Sequence, residues 1–401
     1  MQVVARPGSV SPVSVARKAK THDATGVSLS TEPASAANEL AVHANATTAA
    51  ASVFLESRGV ACRAASEWMP AKQLRQHATA TQELYREGDE CERQAANAIA
   101  RFLQQQADHQ QDVAAAIALR AYYVHSAIGE QFQLAKKSVA ALEEQRERQL
   151  AIVEKGFAAA IDLTSLDREA ITLRLQRLQL EQRSRQVTDS LNDAMRLKYD
   201  WLTSQTEPLE VRIQSIDADY LVQFALTHRS DLLAIQCLGT QINSGTAPLL
   251  ASVVRSASGM VSLPLPKRCF VDRMLRREDN TELADNLKES IALTYEAQSN
   301  AIRRDVSEKS ISLELAYKRI TLSQETTATW RKRVEQLERV DELGNGRPAD
   351  LVIAQSSLLA AQAMEVERRL EARMMEIALA EACGGLYCRC CNGLAWLITS
   401  R

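Results

Sequence analysis

Apolar residues recur along most of this 401-residue chain at steps of three, four and seven, the spacing of helices with a buried stripe. No proline interrupts the stretch from Ala71 to Val153, where Val113, Ile117, Val124, Ile128, Ala135, Val139 and Leu142 form the stripe. A continuous helix of roughly 65 residues spans about 100 Å, a length no compact globule uses. A turn at Gly156 follows, and then Leu166, Leu173, Leu180, Val187 and Ala194 repeat every seventh residue, which specifies a supercoiled seam with a neighbouring helix. Ile171, Leu175 and Leu178 lie off that seam. A helix apolar on two flanks has two neighbours, as in the wall of a bundle or barrel, or is one of an antiparallel pair with extra burial.

The second half repeats the scheme. A long proline-free helix is expected from Asn280 to Val340, with Leu283, Leu287, Ile291, Ile302, Val306, Leu313, Ile320, Trp330, Val334 and Leu337 as its stripe. A closing helix follows from Pro348 to about Cys383, carrying Leu351, Leu358, Val366, Leu370, Met374 and Ile377. Between the halves, Tyr199 to Tyr220 breaks the periodicity with Pro208 and the alternating Leu209, Val211 and Ile213, and reads as a connector. A short helix is expected from Leu226 to Ile242, with Ser230 or Asp231 capping its first turn. Leu249 to Val254 and Met260 to Leu265 flank Ser256 to Gly259 in a hairpin pattern, each run shorter than the 9–11 residues of a tilted membrane strand. No strand pair is legible ahead of the first long helix.

The division predicted is therefore an N-terminal segment, 1–65, without sustained periodicity; a first helical hairpin, 66–200; a connector, 201–224; a second helical hairpin, 225–385, containing the short β-hairpin 246–273; and a cysteine-rich tail, 386–401. The fold class expected is mainly α, with long antiparallel helical hairpins duplicated in tandem and a reduced β-hairpin region. The duplication is visible in single residues: Glu154, Gly156, Asp162 and Leu163 are matched at one constant offset by Glu342, Gly344, Asp350 and Leu351, so E-x-G-x5-D-L occurs twice. In each copy Gly can supply a left-handed turn, and Asp can start the next helix where the dipole favours an anion.

Composition agrees with this pattern: Gly, Pro and aromatics are scarce, while Ala, Leu, Gln, Glu and Arg, which cost least in a helix, abound. The 48 Lys and Arg offset 50 Asp and Glu, so no basic field points to nucleic acid. No run of about 18 apolar residues offers a membrane-spanning helix. The start of the chain has positive charge but no apolar core of a secretory signal.

Taken in order, the duplicated turn, the long-then-short helices, the RSDLL stretch and the hairpin before the second long helix resemble the outer-membrane efflux (TolC-like) family. Gly344, Asp350, Leu351, Ala354, Gln355 and Leu358 fit that family's G-x5-D-L and A-Q-x-x-L pattern, and Ala225, Leu226, Arg229, Asp231 and Leu232 fit its A-L-x-x-R-P-D-L, with Ser230 in place of proline. Ala159 and Arg347 replace the small polar residue the family carries in each turn. The resemblance covers roughly Glu83 to Gly385. It implies a homotrimer whose helices form a periplasmic α-barrel under an outer-membrane β-barrel, a passive duct served by a periplasmic adaptor and an inner-membrane pump. It also implies that Gly156, Asp162, Leu163, Gly344, Asp350 and Leu351 lie at the periplasmic tip and gate the pore, rings of Asp selecting by charge. Leu166, Leu173, Leu180, Val187 and Leu358 are then the assembly seam. The alternative expectation is a soluble coiled-coil scaffold without transport activity, which the missing signal and short hairpin favour.

No catalytic constellation is legible. The six histidines are dispersed, His125 beside Tyr122 and Tyr123 reads as a helix-face residue, and no phosphate-binding loop or nucleophile elbow occurs. Cys383, Cys388, Cys390 and Cys391 are spaced unlike any standard metal ladder and have no His nearby. A non-enzymatic protein without metal or cofactor is expected.

Overall fold

A computed structural model describes residues 57–156, 162–196, 209–251, 280–343, 346–384 and 386. The helices in these residues are α1 (Ser57–Glu67), α2 (Met69–Leu84), α3 (Glu90–Glu154), α4 (Leu163–Met195), α5 (Ala218–His228), α6 (Ser230–Gly239), α7 (Asn280–Glu342) and α8 (Pro348–Cys383). The mainly-α class and the two long-then-short hairpins are as the periodicity predicts. No strand occurs among the described residues.

The long helices order side by side as α4, α3, α8, α7: α3 pairs with both α4 and α8, and α8 pairs with α7. α3 is 65 residues long because its sequence supplies both a start and a stripe. Asp89 accepts the Glu92 N–H at 2.8 Å while the Glu92 carboxylate accepts the Asp89 N–H at 3.1 Å, a reciprocal capping box. Its first half buries a dense row of small residues, among them Ala95, Ala98, Ala107, Ala115 and Ala118. That row lets α1, α2, α6 and α8 approach the helix closely, because no long side chain holds them off.

Three apolar clusters fill this half of the molecule. One joins Tyr122, Leu191, Met195, Leu209 and Ile377, a second joins Phe102, Leu238, Leu250 and Leu287, and a third joins Phe224, Ile302, Leu313 and Leu379. Towards the turns, packing thins to two small clusters, Leu142–Leu166–Ala170–Val352 and Val334–Leu351–Ala354. Exposed ion pairs Arg146–Asp167 and Arg174–Glu143 bridge α3 and α4 there; such pairs contribute little stability and serve to match register.

Several boundaries differ from the sequence reading. The segment expected to lack structure up to residue 65 is helical from Ser57, because Val60, Ala61, Ala64 and Ala65 form an apolar face that packs on α3. The run from Ala71 to Val153 is broken at 85–89, where α2 folds back along α3; Arg75 donates to Asp108 and to Gln111, closing the pair. This five-residue turn stands directly ahead of the first long helix, where no strand pair is legible in the sequence. The single helix expected over Leu226–Ile242 is two, α5 and α6, broken at Arg229, and α5 begins at Ala218 inside the expected connector, capped by the Asp217 carboxylate, which accepts the Tyr220 N–H. Within the expected hairpin 246–273, residues 247–251 are helical and bury Ala247, Leu250 and Ala251 in the second cluster; its remainder, 252–273, lies outside the described residues.

Candidate functional site

Both copies of the repeated turn lie at one end of the helical layer. Val352, one residue past the second copy, packs on Leu142 and Leu166, one turn from the first. Of the six residues expected at the tip, Gly344 lies outside the described residues and the other five are described. The two turns are built differently.

In the first, Gly156 follows the end of α3 with φ +81°, the left-handed region that costs an L side chain. Asp162 then caps α4: its carboxylate accepts from the Thr164 backbone N–H at 3.1 Å and from the Thr164 hydroxyl at 2.5 Å. The hydroxyl bond, followed by the backbone bond, holds the Asp162 carboxyl below the usual carboxylate range. Leu163 is half-buried at the first helical position.

In the second turn the helix starts earlier, at Pro348, whose fixed φ and missing N–H suit a first helical position. Asp350 therefore sits within the first turn of α8, exposed, whereas its counterpart Asp162 caps. Gly346 is needed here for a different reason from Gly156. A Cβ on it would stand 2.6 Å from the Asp341 Cα and 2.5 Å from an Asp341 carboxylate oxygen, so the returning chain presses on the end of α7. Leu351 is buried against α7 with Val334 and Leu337. The sequence places Gly346 with Gly344 in a tight turn but does not show its close approach to Asp341, because nothing local in the sequence reports how closely the chain returns.

The heptad seam of α4 is consumed within the chain. Leu166 and half-buried Leu173 pack on Leu142 and Val352, half-buried Val187 joins the cluster around Tyr122, and Leu358 of α8 packs with Val334 and Leu351. Leu180 lines a groove of 720 Å³ between α3, α4 and α8. The second flank is what remains free: Ile171, Leu175 and Leu178 are 55–56% exposed. At the opposite edge of the layer, Ile311, Leu315 and Leu322 of α7 are 48–62% exposed. Apolar edges on both sides of one layer suit a heterologous, head-to-tail contact, which gives a ring where the rotation between copies closes and an open filament where it does not.

The RSDLL residues form a buried clasp. Arg229 donates through Nε and Nη2 to Asp231 at 2.9 and 2.7 Å, and through Nη1 to the Ala382 carbonyl at 3.0 Å. Asp231 also accepts from the Leu232 N–H and from Gln298. Burial works against the Asp231 carboxylate, but the hydrogen bond and charge of Arg229 outweigh it and hold its pKa low. Gly384, at φ +74°, completes the arrangement, since a Cβ there would meet the Arg229 side chain at 2.7 Å. Burial pushes the neighbouring Cys383 thiol up to about 12, so it stays a protonated thiol; Cys388, Cys390 and Cys391 lie outside the described residues. His125 is half-buried with Nδ1 lacking a partner, and burial lowers its pKa.

No protein-family model matches the sequence, and no curated protein sequence matches it. Solved structures do match. A membrane protein from Pseudomonas aeruginosa aligns with a TM-score of 0.60 at 14% identity, over 83% of this chain and 91% of that one. The open state of the MtrE outer membrane channel of Neisseria gonorrhoeae aligns with a TM-score of 0.59 at 12% identity, over 83% and 89%. The CmeC outer membrane channel of Campylobacter jejuni aligns with a TM-score of 0.54 at 12% identity, over 73% and 68%. The chain has the fold of these channels.

Proposed function

We propose that this chain is a divergent member of the TolC-like outer-membrane efflux family, a subunit that contributes its helical layer to a homotrimeric α-barrel. Its place is the outer membrane, with the barrel in the periplasm. It is a passive duct: substrates arrive from an inner-membrane pump through a periplasmic adaptor, and the chain itself does no covalent chemistry. The observation that carries this reading is the pair of uncovered apolar edges, Ile171–Leu175–Leu178 on α4 and Ile311–Leu315–Leu322 on α7, on a protomer with the fold of outer-membrane channels. A closed ring of copies covers both edges at once, and a solitary protomer covers neither.

The tip turns are the gate and the adaptor contact. Of the two aspartates, Asp350 is the one free to face the pore, and three copies would place a ring of negative charge there. Asp162 is committed to its cap and holds the turn in shape. Density-gradient fractionation of host membranes, with unheated gel electrophoresis of each fraction, tests the proposal. Recovery as a trimer with the outer membrane is expected. Recovery as a soluble elongated dimer overturns it and leaves a coiled-coil scaffold.

A further inference from the structure

The 720 Å³ groove lies on one face of the layer, with α3 along its floor and α4 and α8 as its walls. α3 meets those two helices through different sides. Leu142 and Arg146 reach Leu166 and Asp167 of α4, whereas Arg120 and Glu130 reach Glu381 and Arg369 of α8. Gln131, Ser138 and Gln145 fall between those two sides at heptad spacing, and all three line the groove. The opposite side of α3, through Gln133, Ala140 and Glu147, is exposed. A space shared by three side-by-side helices forms only where the outer two lean over the middle one, so the layer is concave on the groove face. A ring of such layers closes with its concave face inward.

The chain keeps charge off this face of α3. Between Gln131 and Gln149 the helix carries seven charged residues, among them Lys136, Lys137, Glu144 and Arg148, and none of the seven lines the groove. The polar part of the lining is instead amide and hydroxyl: five glutamines, Gln131, Gln145, Gln176, Gln179 and Gln355, with three serines. The glutamines come from all three helices, and Gln176 and Gln179 of α4 are exposed. Charge enters only at Glu169, Arg183 and Glu367, which are of mixed sign, and the lining holds no aromatic side chain. A primary amide both donates and accepts hydrogen bonds and carries no charge. A wall of this kind bonds to hydroxyl groups weakly, at about 1 kcal/mol per bond, and neither steers nor traps an ion.

We propose that the groove face is the wall of the duct and that its cargo is a neutral, hydroxyl-rich solute of the oligosaccharide class, which the glutamine amides engage in passing. The inference rests on the duct reading and adds to it the face that lines the duct and the chemistry that face admits. Asp350 does not line the groove, so charge at the tip and the amide wall beyond it act separately.

Single-channel recording in planar bilayers reconstituted with the full chain tests it, with maltohexaose as the neutral probe. Maltohexaose is expected to interrupt the current of the native protein. The double variant Gln176→Leu/Gln179→Leu is expected to shorten those interruptions about fivefold, the loss of one hydrogen bond expressed as a ratio. Both glutamines are exposed in the protomer, so the double variant is expected to fold as the native chain does. Gln176→Glu puts a further carboxylate from each copy on the wall and is expected to raise cation preference over anions by about twofold. A conducting trimer that maltohexaose does not interrupt, or whose interruptions the double variant leaves unaltered, overturns the cargo class while the duct stands. Ion preference unchanged by Gln176→Glu places the groove on the outside of the ring and overturns the proposal in the same way. A protein that forms no conducting trimer overturns the duct reading and the proposal with it.

Discussion

Replacing Arg229 with Met removes the cation from a buried pair without removing its bulk. In the native protein the side chains of Arg229 and Asp231 are 12% and 13% exposed, and Asp231 is satisfied by two guanidinium N–H groups, the Leu232 N–H and Gln298. After Arg229→Met the carboxylate keeps only the last two donors and no counter-charge, and the Ala382 carbonyl loses the guanidinium bond. Stranding one partner of a buried pair costs about 3–5 kcal/mol, and the lost bond to Ala382 adds about 1 kcal/mol. Adding Asp231→Asn to the same chain removes the stranded charge and is expected to recover about half of the loss.

The pH dependence follows with its sign. Native Asp231 has a depressed pKa, so its contribution is present above the unfolded carboxylate value and is lost as pH falls through the folded one. In Arg229→Met burial, the largest influence and one that raises the pKa, is opposed only by the charge of His109 and the bonds from Gln298 and the Leu232 N–H, with the guanidinium gone. The variant is then most unstable near neutrality, and its deficit relative to the native protein shrinks as pH falls to about 5. Urea unfolding followed by far-UV circular dichroism, at both pH values, measures all three proteins. A deficit under about 1 kcal/mol, or a double variant no more stable than Arg229→Met, would refute the reasoning.

Gly156→Ala and Gly346→Ala should fail for different reasons: the first costs about 1–2 kcal/mol in a left-handed residue and is rescued by Asn, whereas the second forces the end of α7 aside and Asn makes it worse, both read by thermal unfolding. Leu175→Asp is expected to leave the protomer folded but abolish the trimer in analytical ultracentrifugation, because Leu175 is exposed in the single chain. Leu173→Asp instead places a charge against Leu166 and is expected to lower protomer stability by about 2–3 kcal/mol; the reverse outcome would mean that the inner and outer flanks of α4 are exchanged. Asp162→Ala should speed amide exchange at Thr164 and Ser165 at neutral pH but not in acid below its lowered pKa, where the native cap is itself protonated. Asp350→Ala should leave that exchange unchanged and reduce cation preference in planar bilayers.

The sequence by itself determined the helices. Helical hydrogen bonds are local, and a stripe repeating at 3.6 residues records which face is buried, so α4, α7 and α8 were legible almost to their ends and α3 at its C-terminal end. The two tip turns were legible for the same reason, since Gly and Asp act within four residues of themselves, and Asp162 caps as that pattern requires. The tertiary structure decided which flank of α4 stays inside the chain, because the heptad seam and the second flank are equally apolar and only the positions of α3 and α8 distinguish them. It decided that α2 passes to α3 in a five-residue turn, and that Gly346, within the second copy of the repeated motif, is a point of close approach.

Above all it brought together groups that no periodicity relates. Arg120 and Glu381 bond across 261 positions, Arg369 and Glu130 across 239, and Arg229 reaches the Ala382 carbonyl across 153. On one strand of sequence these are ordinary charged helix residues. They meet only when the second half of the chain folds back beside the first, and at Arg229, the most buried of them, leaving the group unpaired is costly.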